Sequence, residues 1–202
     1  MQQEAKSMDK KHNDQLLTRA IEVAAKVHSN QKRKSTDIPY IVHPFEIAMI
    51  LQRNGIEDEE VLAAGILHDT LEDGDLKPLY LETHFSKRVK ELVLQASEEL
   101  EGREDRPWKE RKLHTIETIR GLDPEGKLVV CADKLSNGRS MIRDYHELGE
   151  GLWNRFNAGY EDQKWYYQEL ISALEDLKEY PMHRELSEIV EELFSEETNR
   201  KD

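Results

Sequence analysis

Cysteine is nearly missing from this 202-residue chain: Cys131 stands alone, so no disulfide can close within it. A lone thiol in a chain of this size suits a reducing compartment. Long apolar runs are missing as well. No stretch approaches the ~20 residues of a membrane span, and the opening MQQEAKSMDKKHND has no apolar core of the kind a signal peptide needs. These absences together predict a cytoplasmic protein. Basic residues fall short of acidic ones, 29 Lys and Arg against 42 Asp and Glu. The net charge of -13 excludes the broad basic surface of a general nucleic-acid binder. Any anionic ligand must therefore be met by a local basic cluster. Strand signals are scarce too, which excludes an all-β or parallel α/β architecture.

What is present is helix after helix, joined by short connectors. With 37% hydrophobic and 35% charged residues, the balance suits helices with solvated outer faces around a lean core. Asp14 is placed to cap a helix that carries Leu16, Leu17, Ala20, Ile21, Ala24 and Val27 at 3.6-residue spacing. The loop KRKSTDIPYIVHP follows, and Pro44 sits in the first turn of a second helix that Gly55 terminates. Asp58 or a neighbour opens a third helix, which the pattern VLAAGILHDTLED carries as far as Gly74. LKPLYLETHF, SKRVKELVLQASEEL, WKERKLHTIETIR, EGKLVVCADKLSNGRSMIRDY, EDQKWYYQELISALEDLKEY and PMHRELSEIVEELF continue the series, with the charged stretch EGREDRP before Trp108. The expected organisation is all-α: a flexible N-terminus over 1–13, one domain over 14–195 and a frayed tail over 196–202.

Polar residues in the wrong company mark the site. His68, Asp69, Glu72 and Asp73 follow directly on the apolar run VLAAGIL, His43 precedes Pro44, and Asp133 lies in the apolar LVVCAD. An ionised carboxylate is costly to bury without a partner. Taken alone, an HD dipeptide reads more often as a core histidine beside a solvated helix end; His43, Glu72, Asp73 and Asp133 together turn the balance toward function. Imidazole nitrogens with carboxylate oxygens and no thiolate suit Mn²⁺, Fe²⁺ or Zn²⁺ better than Mg²⁺. On a continuous helix Glu72 and Asp73 would stand one turn beyond His68 and Asp69, placed to handle water on the ion. His12, His28, His84, His114, His146 and His183 read as structural or surface groups. Trp153, Phe156, Trp165, Tyr166 and Tyr167 read as core packing.

The ordered motifs HSNQKRKSTDIPYIVHP, LAAGILHDTLED and CADKLSNGRSM resemble the HD-domain hydrolases of the RelA/SpoT homologue family, in particular its small stand-alone alarmone hydrolases. The likeness runs from about Ala20 to Tyr167. It implies a bundle of α-helices holding one Mn²⁺, or another divalent ion, and a cytoplasmic enzyme that removes pyrophosphate from the 3′ position of ppGpp or pppGpp. It implies hydrolysis without synthesis, since no segment can supply the family's synthetase domain. The partner expected is a small nucleotide, not a nucleic acid or a membrane.

Residue by residue, the resemblance places His43, His68, Asp69 and Asp133 on the metal ligands and Glu72 and Asp73 on the pair that positions and activates water. Asn137 falls on the asparagine near the ribose and 3′ phosphate, and Arg33 on the arginine that packs against the base, with Lys34 as a second contact. Lys112 and Arg155 are candidates for the far phosphates, while Lys134 and Arg139 would touch phosphate or pair with nearby carboxylates. The motifs do not separate guanosine from adenosine alarmones, from the 2′-phosphate of NADPH or from nucleoside phosphates. A catalytically idle nucleotide sensor is the alternative of a different class, and the intact Glu72–Asp73 pair argues against it.

Overall fold

The computed structural model describes residues 2–34, 36–74, 76–98 and 106–195, with residues 2–14 described as backbone alone. The frayed tail expected over 196–202 lies outside the described residues, as does most of EGREDRP. The chain divides into two compact units, Met1–Ser97 and Glu98–Asp202. Among the described residues both are helical, and the extended pairing is confined to one isolated bridge between Lys32 and Pro39.

The first unit is built on α3. Its sequence EEVLAAGIL is apolar all round after the first turn, and a helix of that kind must be covered on every side. Val61 through Leu67 are all buried, with α1 (Gln2–Val27), α2 (Val42–Arg53) and α5 (Lys87–Ala96) packed against α3 (Glu59–Leu67) and α4 (Pro78–His84) packed on α5. A Cβ at Gly65 would meet Leu51 Cδ1 at 2.9 Å and Ile47 Cγ2 at 3.0 Å, so the missing side chain is what lets α2 close on α3. That approach sets the distance between the residues the two helices carry. Asp58 caps α3, accepting from the Glu60 and Val61 amides. Gly55, at φ +81°, reverses the chain after α2. Because α1 begins at Gln2, Asp14 lies inside it and is not its cap.

The second unit holds α6 (Trp108–Arg120), α7 (Pro124–Leu148), α8 (Tyr160–Ala173) and α9 (Pro181–Leu193), with 3-10 segments at Gly149–Arg155 and Glu175–Leu177. α7 and α8 both pack on α9, and α6 packs on α8. Asp123 caps α7 through the Gly126 amide at 2.8 Å, with Pro124 in its first turn. An aromatic group of Trp153, Tyr160, Tyr167 and Phe194 closes the unit, with ring centroids 5.1–6.2 Å apart. Trp153, Tyr166 and Tyr167 are buried as expected of core residues, while Phe156 and Trp165 are half-buried.

Candidate active site

His43 and His68 reach one point from different helices. His43 sits in the first turn of α2 and His68 directly follows α3, so the close α2–α3 packing brings their rings to 5.1 Å, edge to face. Both are buried, at 2% and 1% exposure. The Asp69 carboxylate lies between them, with Oδ2 2.8 Å from His68 Nε2 and 3.8 Å from His43 Nε2. Ligand atoms of the three residues all fall within 4.8 Å of one another.

The tautomer of His68 gives this geometry its chemical sense. Its Nδ1 lies 3.0 Å from the Gly65 carbonyl, an acceptor only, so Nδ1 carries the hydrogen. In the neutral form of that tautomer the Nε2 lone pair is turned toward the Asp69 oxygen. Two acceptors 2.8 Å apart repel unless a proton or a cation is shared between them. A histidine whose other ring nitrogen donates to a main-chain carbonyl is the usual arrangement at a metal. The donor set therefore fits a divalent ion held by nitrogen and oxygen.

The acidic pair is not where a continuous helix would put it. α3 ends at Leu67 instead of running through Asp73. Thr70 takes the Leu67 carbonyl with both its amide (2.9 Å) and its hydroxyl (2.6 Å), which closes a tighter turn and stops the helix. Glu72 and Asp73 lie on the turn that follows, their backbone N–H groups donating to the Asp69 carbonyl at 3.2 and 2.9 Å. They are not stacked on the outer face of α3. Glu72 is half-buried and Asp73 exposed, with Asp73 Oδ2 4.0 Å from His28 Nδ1.

The basic loop folds over the same region. It is closed by Tyr40 N–H to the Gln31 carbonyl (3.0 Å) and Arg33 N–H to the Ile38 carbonyl (2.9 Å). The Arg33 guanidinium lies 5.7 Å from the centre of the Tyr40 ring, and Lys34 is exposed beside it. Three residues emerge here that the sequence reading did not select: Tyr40, whose hydroxyl donates to Asp69 Oδ2; His28, fully buried and 2.5 Å from Gln31 Oε1; and Gln31, whose amide reaches the Asp73 carbonyl at 3.4 Å. The only trace of Tyr40 in the sequence is its place three residues before His43.

Asp133, Asn137, Lys112 and Arg155 belong to the second unit. Asp133 is buried on α7 and accepts from Asn137 Nδ2 on one oxygen and faces Lys134 Nζ with the other, both at 2.7 Å. Burial works against the Lys134 ammonium, but Asp133 and the nearby Tyr166 and Tyr167 hold its pKa well above the usual lysine value. Lys112 lies over the Tyr166 ring at 5.1 Å and 3.3 Å from Glu98. Burial, and then the like charge of Lys134, push its pKa below the ordinary lysine value. Arg155 pairs with Asp144 at 2.7 Å, and Arg139 makes a two-pronged pair with Glu185 at 2.6 and 2.8 Å.

Residues 20–159 match the HD domain family. The chain is similar to the guanosine-3′,5′-bis(diphosphate) 3′-pyrophosphohydrolase MESH1 of Mus musculus, at 35% identity over 182 residues, 89% of this chain and 93% of that protein. Among solved structures it is similar to lmo0812 from Listeria monocytogenes EGD-e, with a TM-score of 0.69, 34% identity, and coverage of 76% of this chain and 99% of that one. It is also similar to a metazoan ortholog of SpoT that hydrolyses ppGpp and plays a role in starvation responses, with a TM-score of 0.71, 26% identity, and coverage of 88% and 94%.

Proposed function

Because this chain belongs to the HD domain family, we propose that it is a 3′-pyrophosphohydrolase of ppGpp and pppGpp, yielding GDP or GTP and intact pyrophosphate. The observation that carries this reading is the meeting of His43, His68 and Asp69, in a chain that aligns with 93% of the length of a MESH1 hydrolase. We assign His43, His68 and Asp69 as ligands to a divalent ion, Mn²⁺ in this reading, with Asp133 as the fourth by the sequence resemblance. Bound there, the ion would lower the pKa of a water and stabilise charge on the phosphoryl oxygens.

The chain's own residues do the rest. Glu72 and Asp73 orient the attacking water and take up its proton. Arg33, planar and weakly hydrated, presents its guanidinium to the guanine, with the Tyr40 ring behind it. Lys34 adds a second contact. Asn137 binds near the ribose and 3′ phosphate, and Lys112 and Arg155 are assigned to the far phosphates. Each would exchange a carboxylate partner for a phosphate oxygen, Lys112 leaving Glu98 and Arg155 leaving Asp144. The chain is proposed to work in the cytoplasm.

The test is direct. The purified chain with Mn²⁺ is offered ppGpp, pppGpp, adenosine alarmones, NADPH and nucleoside triphosphates, and products are resolved by anion-exchange chromatography. GDP with intact pyrophosphate is expected from ppGpp. Two orthophosphates, or loss of phosphate from the 5′ side, would replace this reading with a general phosphatase; tight nucleotide binding with no cleavage would replace it with a sensor.

A further inference from the structure

The Asp69 carboxylate hangs from a turn just beyond the end of α3, where no regular helix fixes its direction. Its Oδ2 nevertheless sits 2.8 Å from His68 Nε2 and 3.8 Å from His43 Nε2, aimed at the same point as both rings. The Tyr40 hydroxyl donates to that same oxygen and so helps to aim it. Tyr40 is itself held on several sides. Its ring lies 4.8 Å from His28 and 5.6 Å, edge to face, from His43, with the Arg33 guanidinium 5.7 Å from its centre. Its amide donates to the Gln31 carbonyl at 3.0 Å, and its own carbonyl accepts from the His43 amide at 2.9 Å.

Resting on the metal reading of His43, His68 and Asp69, we infer that Tyr40 is a positioning residue that orients Asp69 for the ion. The hydroxyl has two opposed effects. Donating to a ligand oxygen withdraws some negative charge from it, which weakens the oxygen as a donor. Fixing the carboxylate removes a rotational freedom that would otherwise be lost on binding, and losing such an outer contact generally costs 10–100-fold in metal affinity. Orientation therefore outweighs the lost charge. Gln31 of the same loop reaches the Asp73 carbonyl, so this one loop steadies both carboxylate-bearing positions.

The experiment compares the full-length parent with Tyr40→Phe, which keeps the ring and removes only the hydroxyl. Metal-free protein is titrated with Mn²⁺ by calorimetry, and melting is followed with and without Mn²⁺. The expected result is affinity weaker by about 10–100-fold, a smaller metal-induced rise in Tm, and ppGpp turnover that recovers as Mn²⁺ is raised. A destabilised variant is still decisive, because the rise is read against its own metal-free melt. Equal Mn²⁺ affinity in parent and variant overturns the role of Tyr40, even if the metal-free Tm falls. A parent that binds no Mn²⁺ overturns the metal reading itself, and a parent that binds Mn²⁺ but leaves ppGpp intact overturns only the substrate assignment.

Discussion

Asp69 and Asp73 are close in sequence and stand in different surroundings. Asp69 faces two buried histidines, and Asp73 is exposed near His28. Their substitutions should therefore separate. Asp69→Ala should lose metal and turnover together, since it removes a ligand oxygen. Asp73→Asn should keep its metal and nucleotide binding and lose kcat by roughly 10²-fold or more, because the amide fills the same space and cannot take a proton. Metal analysis and steady-state kinetics on both variants check this, and an Asp73→Asn protein with parental kcat would make the acidic pair structural. Arg33→Ala should chiefly raise KM. His43, His68 and Asp69 were legible in the sequence because ionisable groups beside apolar runs are anomalous. Tyr40, His28 and Gln31 were not: a tyrosine, a histidine and a glutamine in a polar loop are ordinary, and closure of the 31–40 turn is what gives them partners.

Among the elements, α3 shows which parts of a helix a sequence declares. Its start was readable, since an acidic cap before an apolar run has a local signature. Its end was not, because Thr70 competes for the Leu67 carbonyl only once the chain has turned. Asp58→Ala should cost about 1 kcal/mol through the lost cap. Burial tends to raise the Asp58 pKa, but the hydrogen bond from Arg88 and the Val61 and Glu60 amides bring it below the usual carboxylate value. The stability it contributes is thus present above the unfolded pKa and fades as pH falls through the lower folded one. Acid titration of the melting temperature should show the parent and Asp58→Ala converging at low pH. Gly74, at the far side of the acidic turn, tests placement. A Cβ there would meet the Thr70 carbonyl at 2.9 Å and Val27 Cγ1 at 2.8 Å. Gly74→Ala should therefore push the turn off α1 and lower kcat while metal content holds. Unchanged kcat would mean the turn yields without consequence.

For the chain as a whole, the all-α class was legible from the 3.6-residue spacing and the scarcity of strand signals. The division at Ser97 and Glu98 was not, because the charged stretch EGREDRP that follows it reads equally well as a connector inside one domain. The net charge of -13 makes cations rather than anions the ligands the chain attracts at long range. At short range His68 Nε2 and Asp69 Oδ2, the oxygen that accepts from the Tyr40 hydroxyl, face each other at 2.8 Å. A divalent ion there would be attracted to both groups at once, where otherwise a proton must lie between them. The unfolded chain separates His43 from His68 and Asp69 and offers no such set. A ligand taken only by the folded state stabilises it by about 2.7 kcal/mol at one hundred times its Kd. In a chain of this length each kcal/mol moves Tm by about 2–4 °C, so saturating Mn²⁺ should raise Tm by about 5–11 °C over protein in excess chelator. The His68→Ala and Asp69→Ala chains should lose most of that rise, while Asp73→Asn should keep it, since its carboxylate is assigned to the water. Differential scanning calorimetry on the four proteins decides the matter: a parent that melts at the same temperature with Mn²⁺ and with chelator would mean that the two histidines and Asp69 meet without holding an ion.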